Sequence, residues 1–214
     1  MKSIREPLQD RSRATVERLL NATISLLDQE GLDGALIPRI AEAAGMAPAN
    51  VYRRFVDKNA LLRAAFLHAL MRSEQHNRET MAAQVLGESL TASAERLMDL
   101  LLAQYQRHPR FLRALSRFID GDCDAGFIAA ARSSIAANVD LLVDILLAHR
   151  HEIRHELPER ALRFAILSAT CSIETYALDP SSIWHVEPSV TAEELIAHLG
   201  QGFAGYLVAP GPRR

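Results

Sequence analysis

Lysine is almost missing from this sequence: two residues in 214, against twenty-two arginines. The imbalance is a composition bias rather than chemistry, yet it makes Lys58 conspicuous, since the other lysine is Lys2. Cysteine is as rare. Cys123 and Cys171 stand far apart, and neither has a metal-type or redox-type neighbour. That spacing excludes a disulfide framework and leaves two reduced, buried thiols as the expectation. Aromatics make up 6% of the chain, and β-branched residues come singly, which argues against a sheet-rich fold. No apolar run approaches transmembrane length, and none follows the charged start MKSIREPLQDRSR, so a soluble cytoplasmic protein is expected. The net charge of −2 shows no strong excess of either sign.

What is abundant is alanine and leucine. Hydrophobic residues reach 49%, enough for a sizeable core and too many for a disordered chain. The length suits one large domain or two small ones, and the composition favours an all-α fold. Charge is unevenly spread. Residues 1–64 hold ten basic against eight acidic residues, whereas 65–214 hold fourteen against eighteen. The modest basic excess sits at the N-terminal end.

The densest pattern runs from Ile37 to Lys58, IPRIAEAAGMAPANVYRRFVDK. It reads as a helix over 37–44, a turn at Gly45-Met46 and a second helix over 48–55. Ala41 is small enough for a steep helix crossing. Gly45 tolerates the positive φ that the turn needs. Val51 anchors the second helix against the first, with Ile40, Ala44, Met46 and Phe55 completing the buried face. Asn50, Tyr52, Arg53 and Arg54, with Lys58 just after, lie outside it and suit base edges and phosphates. Any αα-hairpin could share the buried pattern. The polar face is what makes this a helix-turn-helix built for a DNA major groove.

On either side the chain is helical. Val16, Leu19, Leu20, Thr23, Ile24 and Leu27 give an apolar stripe over 11–29 that Gly31 would cap. Arg5, Arg11 and Arg13, in and after a loose arm at 1–10, could touch a DNA backbone, although a solvated tail is the commoner explanation of such charges. Asp57 is a predicted N-cap for a long helix reaching about residue 83.

The span 13–70 resembles the DNA-binding domain of the TetR family of bacterial transcriptional regulators. The residues that carry the likeness are Ala22, Leu26-Leu27 and Gly31, then Ile40-Ala41-Glu42-Ala43-Ala44-Gly45, Val51-Tyr52-Arg53-Arg54-Phe55, and Lys58 with Leu61-Leu62. The resemblance implies a helix-turn-helix domain at 1–56, a connecting helix at 57–83 and a larger helical ligand-binding and dimerisation domain at 84–214. It implies a homodimer on a palindromic operator, released by a small-molecule effector, with repression as the usual outcome. By position, Tyr52 and Lys58 match the family's phosphate contacts, and Ala49, Asn50 and Arg53 its base-facing residues. Two positions depart from the pattern. Leu36 and Ala47 stand where the family usually has Ser or Thr, so two expected phosphate contacts are lost. Backbone N–H groups, or Arg39, Arg53 and Arg54, would then compensate. Pro48 and Ala49 present small apolar surfaces suited to thymine methyls.

The C-terminal region reads as five helices, over about 90–107, 109–119, 125–155, 159–178 and 192–207. Thr191 and Glu194 form a predicted capping box, and the tail PGPRR is expected to be disordered. In the resembling family the last two long helices pair across the dimer. Here they carry Ala165, Ser168, Ala169 and Ser172, and Ala197, Gly200 and Ala204, which suit close helix contact within one chain nearly as well. Candidate effector-pocket residues are Met98, Tyr105, Phe111, Phe118, Phe127, Phe164, Cys171, Glu174 and Trp184; plain core is the bland reading of each. No cationic cluster marks the region, so the effector is expected to be mainly apolar.

Two rival motifs remain. Gly200, Gly202 and Gly205 match a dinucleotide fingerprint but lack the strand that motif needs. His151-Glu152-Ile153-Arg154-His155 fits H-E-x-x-H. On a helix its histidines would share a face and could bind zinc, with Glu152 as base and Glu174 as a further ligand. A zinc hydrolase, or a protein that binds metal without catalysis, is therefore the alternative reading. Against it, the motif falls in a charged segment at a helix C-terminus, where the helix dipole favours cationic side chains without any metal. From the reader helix comes one test: Asn50→Ala should relax the preference for adenine at one operator position, as read by selection from random DNA. An unchanged preference at every position would remove Asn50 from base reading.

Overall fold

The structure, a computed structural model, describes residues 8–210, with side chains from Ser12 onward. The expectations for Arg5, for the Arg11 side chain and for residues 211–214 lie outside the described residues. Nine α-helices carry the described part: α1 (Leu8–Gly34), α2 (Ile37–Ala43), α3 (Pro48–Tyr52), α4 (Lys58–Val85), α5 (Leu90–Arg107), α6 (Pro109–Gly121), α7 (Ala125–Leu146), α8 (Pro158–Leu178) and α9 (Ala192–Val208). No strand occurs among the described residues. Packing divides the chain into two units. The first holds residues 1–71 and 110–131, the second 72–109 and 132–214. Residues 110–131 thus pack with the N-terminal unit, although the sequence division grouped them with 84–214.

In the first unit, the three- and four-residue spacing of α1 buries Leu19, Leu20, Leu26 and Leu27. Thr23 is buried among them and satisfies its hydroxyl by donating to the Leu19 carbonyl at 2.8 Å. Gly31 adopts φ 71°, breaking the helix where a cap was expected, before one more turn to Gly34. Ile37, Ile40, Ala41, Ala44 and Val51 are buried together with Leu61, Leu62, Ala65 and Phe66 of α4. Gly45 takes φ 68° in the turn between α2 and α3. Asp57 accepts from Ala60 N at 2.7 Å at the start of α4.

The centre of this unit is aromatic. The fully buried Phe66 ring lies 5.5 Å from Phe111 and 5.2 Å from Phe118, and Phe118 meets Phe127 edge-on at 5.5 Å. Beside it the Arg63 guanidinium grips the Asp122 carboxylate through Nε at 2.9 Å and Nη2 at 2.8 Å. That hydrogen-bonded pair holds the Asp122 carboxyl below its ordinary range.

In the second unit α5 packs on α8 and α9. Leu90, Leu97, Met98, Leu146, Leu162, Ile166, Ile173 and Leu207 form its core. Ser89 caps α5 by accepting from Ala92 N, and Thr191 and Glu194 form the expected capping box on α9.

Three expectations are corrected, and one alternative left open is decided. The helix predicted over 125–155 ends at Leu146, tightens into a 3-10 turn at Leu147–Glu152, and becomes extended at Ile153. Both cysteines are exposed rather than buried. Ala165, Ala169, Gly200 and Ala204 face inward; an added Cβ at Gly200 would meet Glu95 of α5 at 3.4 Å. Finally, Ala125–Glu152 is long and apolar enough to cross a membrane by length and composition. It also supplies Leu142, Val143 and Leu146 to the second core, and core helices pass the same test.

Replacing Phe66 with Ala would empty the aromatic cluster and should cost roughly 3–5 kcal/mol, measured by chemical denaturation. A loss under about 1 kcal/mol would show that Phe111, Phe118 and Phe127 do not depend on it.

Candidate nucleic-acid interface

Helices α2 and α3 both start without a side-chain cap. Leu36 and Ala47 hold the N-cap positions in extended conformation, each followed by a proline in the first turn. The missing hydroxyls expected from sequence are therefore missing from the helix starts themselves. With about 100° between successive residues, burying Val51 sets Ala49 and Arg53 on the opposite side of α3. Tyr52 and Asn50 fall on its two flanks. Burial agrees: Val51 is buried, Ala47, Pro48, Ala49, Tyr52, Arg53 and Arg54 are exposed, and Asn50 is half-buried.

The cations differ in their commitments. Arg54 Nη1 donates to the Asn50 carbonyl at 3.2 Å. Lys58 is half-buried, with Nζ 3.4 Å from the Leu32 carbonyl oxygen at the end of α1. Arg39 grips the Glu30 carboxylate through both Nη atoms, and this hydrogen bond holds the Glu30 carboxyl below its ordinary range. Arg39 thus ties α2 to α1, and a DNA contact from it requires releasing Glu30.

A cleft of about 580 Å³ opens between α1 and α3. Ser12, Thr15 and Arg18 line it from α1, and Asn50, Arg53 and Arg54 from the reader side. Sequence reading missed the α1 contribution. Its only signal was the three-residue spacing of those side chains, which puts them on one helical face.

Residues 19–65 match the family model described as bacterial regulatory proteins, tetR family. The chain carries the DNA-binding domain of the tetR family. No curated protein sequence matches the chain. Solved structures share its fold along most of its length. Salmonella enterica GusR is 20% identical, covering 97% of this chain and 100% of its own, with a TM-score of 0.59. A tetR-family transcriptional regulator from Streptomyces coelicolor is 20% identical over 91% of this chain and 80% of its own, at 0.62. FadR from Bacillus subtilis, solved in complex with stearoyl-CoA, is 15% identical over 90% and 97%, at 0.59. DNA-binding regulation of transcription follows from the tetR domain.

The nine candidate pocket residues separate. Phe111, Phe118 and Phe127 belong to the core around Phe66 in the tetR unit, so their pocket assignment is corrected. Phe164 is 60% exposed, its ring 5.4 Å from Tyr206, so it faces outward rather than lining an interior. Met98 is fully buried in the second core, and Trp184 is half-buried against it. Tyr105, Glu174 and Cys171 do come together. Burial, then the nearby Glu174 and Cys171, pushes the Tyr105 hydroxyl well above its ordinary range, leaving it a neutral donor.

The H-E-x-x-H reading is corrected by local geometry. Helical structure ends at Glu152, so the two histidines do not share an α-helical face. His151 is exposed, whereas His155 is buried, its Nε2 2.8 Å from the Tyr206 carbonyl oxygen. Among the described residues no group of three or more His, Cys, Asp and Glu is placed for a metal. Gly200, Gly202 and Gly205 lie within α9, without a preceding strand among the described residues.

An adjacent cluster escaped sequence reading. Ser93 Oγ lies 2.8 Å from His149 Nε2, and His149 Nδ1 lies 3.3 Å from Glu152 Oε1. The order matches a Ser-His-acid relay, but Ser93 is 0% exposed and no substrate reaches it. Its Oγ accepts from Gly87 N at 2.9 Å, and Glu152 accepts from Leu90 N at 2.9 Å. His149 thus bridges Ser93 on its Nε2 side and Glu152 on its Nδ1 side. The cluster ties the segment before α5 to the end of the 3-10 turn. Ser93→Ala should leave His149 Nε2 and Gly87 N–H unpaired, costing about 1–3 kcal/mol in thermal denaturation. An unchanged melting temperature would contradict this accounting.

Proposed function

We propose that the chain is a homodimeric repressor that binds a palindromic operator and leaves it when a small, mainly apolar effector occupies the C-terminal unit. One observation carries the DNA half: α3 buries Val51 while exposing Ala49, Tyr52, Arg53 and Arg54 on a two-helix frame. Arg53 and Asn50 would read base edges, Pro48 and Ala49 would meet thymine methyls, and Tyr52 and Lys58 would hold phosphates.

Pairing through α8 and α9 is supported by their outer faces. Phe164, Leu167 and Cys171 lie exposed at helical spacing on α8, and Gly202, Gly205 and Val208 are exposed on α9. Tyr105, Glu174 and Cys171 are the polar groups best placed to orient an effector, with Met98 and Trp184 nearby in the same core. The stearoyl-CoA bound to the distant FadR relative is in keeping with an apolar ligand. Release would be a population shift: an effector favouring one conformation lowers operator affinity only by its differential affinity for that conformation. Helix α4 is the proposed lever, since residues 58–71 belong to the first unit and 72–85 to the second. No catalytic role is proposed.

Selection from a random duplex pool should give a palindromic consensus for the wild type. Gly205→Arg tests the dimer in the same assay. An added Cβ there meets nothing within 4 Å and the position is exposed, so a side chain can leave the helix toward solvent in the single chain. Since glycine lowers helix stability by about 1 kcal/mol, the variant should fold at least as well while sedimenting as a monomer and losing palindromic enrichment. A dimeric Gly205→Arg protein would contradict the interface, and no enrichment at low salt would contradict DNA binding.

A further inference from the structure

We propose that the cleft between α1 and α3 is a clamp for one backbone phosphate of the bound DNA, with Arg18 of α1 as its principal cation. The proposal rests on the DNA-binding reading and adds to it a contact from outside the helix-turn-helix.

Charge is the first argument. Arg18, Arg53 and Arg54 line the cleft, and no acidic side chain among the described residues does. Four arginines elsewhere are matched by carboxylates, Arg39 by Glu30, Arg63 by Asp122 and Asp124, Arg78 by Glu74, and Arg163 by Asp140, while Arg96, Arg110 and Arg150 donate to backbone carbonyls. The side chains of Arg18 and Arg53 make no hydrogen bond or ion pair among the described residues; Arg53 bonds only through its backbone N–H, to the Ala49 carbonyl at 3.3 Å. A second surface depression shows the contrast: it gathers Asp140, Asp144 and Glu159 with Arg160 and Arg163, so its lining mixes both signs and carries no positive excess. Three guanidinium groups around an acid-free opening instead leave an unbalanced positive site, and arginine is the side chain best shaped for phosphate.

Position is the second. Tyr52 and Asn50 flank α3 on opposite sides of the buried Val51. A helix in a major groove about 12 Å wide has a sugar-phosphate backbone on each side. Tyr52 faces one backbone. The cleft lies on the Asn50 flank, toward the other. The third argument is need. Leu36 and Ala47 supply no hydroxyl at the starts of α2 and α3, while Ser12 and Thr15 place two hydroxyls on the cleft face of α1. Hydroxyl and guanidinium donors on one face are the groups that contact phosphate oxygens.

The test is the salt dependence of binding to a duplex that the wild type selects, using wild type, Arg18→Ala and Arg18→Lys, each with its melting temperature. Arg18 is exposed on α1, so the variants should melt like the wild type. Losing one phosphate contact per protomer, two in the dimer, should weaken binding roughly a hundredfold on selected and unselected DNA alike, and reduce the slope of log K against log salt by about 2. Arg18→Lys should keep most of the slope, and the selected consensus should not change. If the wild type binds and Arg18→Ala keeps both affinity and slope, the clamp is wrong and the DNA-binding reading stands. A changed consensus would make Arg18 a base reader and equally overturn the clamp. If the wild type binds no duplex at low salt, both fall. Titration with inorganic phosphate at constant ionic strength separates the remaining source. A rise in wild-type melting temperature that Arg18→Ala abolishes, with DNA affinity unaffected by the variant, would assign the cleft to free phosphate instead.

Discussion

Burial of Val51 against α2 is the constraint from which the reading surface follows. A five-residue helix has little stability of its own, since nucleation is costly and propagation too short to repay it. What holds α3 is its one buried side chain, the small contact at Ala41 and the glycine turn between them. Because only one side of α3 can be inside, the side facing out is decided by the same packing. The chemistry of the interface is thus a by-product of core geometry. A change at Val51 would disturb DNA contacts without touching DNA.

Much of this was legible in the sequence because it depends on short-range periodicity. The apolar stripe of α1, the break at Gly31, the turn at Gly45, the Asp57 cap and the Thr191-Glu194 box all involve residues within a few positions of one another. Failures came where the deciding partner is distant. The run 125–155 has helical composition throughout, but His149 and Glu152 are held by Ser93 and Leu90 N–H, and the helix tightens and ends there. Phe111, Phe118 and Phe127 read as apolar residues of a C-terminal region; only Phe66, far upstream, makes them part of the other unit. The small residues of α8 and α9 signalled close packing correctly, but spacing alone does not say whether the neighbour is α5 of the same chain or a second copy.

Sequence motifs fared according to how much geometry they assume. The helix-turn-helix pattern specifies its own backbone, through a glycine at positive φ and an apolar anchor at fixed spacing. H-E-x-x-H assumes an α-helix that the chain does not continue. The backbone expectation therefore held where the motif and the backbone requirement were the same residues. It was silent about Arg18, which looks like any charged residue on a solvated helix face until α3 is seen beside it.

The discontinuous first unit has a consequence for how the protein comes into being. Phe66 emerges from the ribosome well before the residues that enclose it, and all of 72–109 must be made in between. A nascent chain stopped at residue 83 holds a complete helix-turn-helix in sequence but not its aromatic lid, nor the Asp122 partner of Arg63. A chain ending at residue 83 would leave Phe66 without Phe111 and Phe118, and Arg63 without Asp122, so the helix-turn-helix should be less stable alone than within the longer chain.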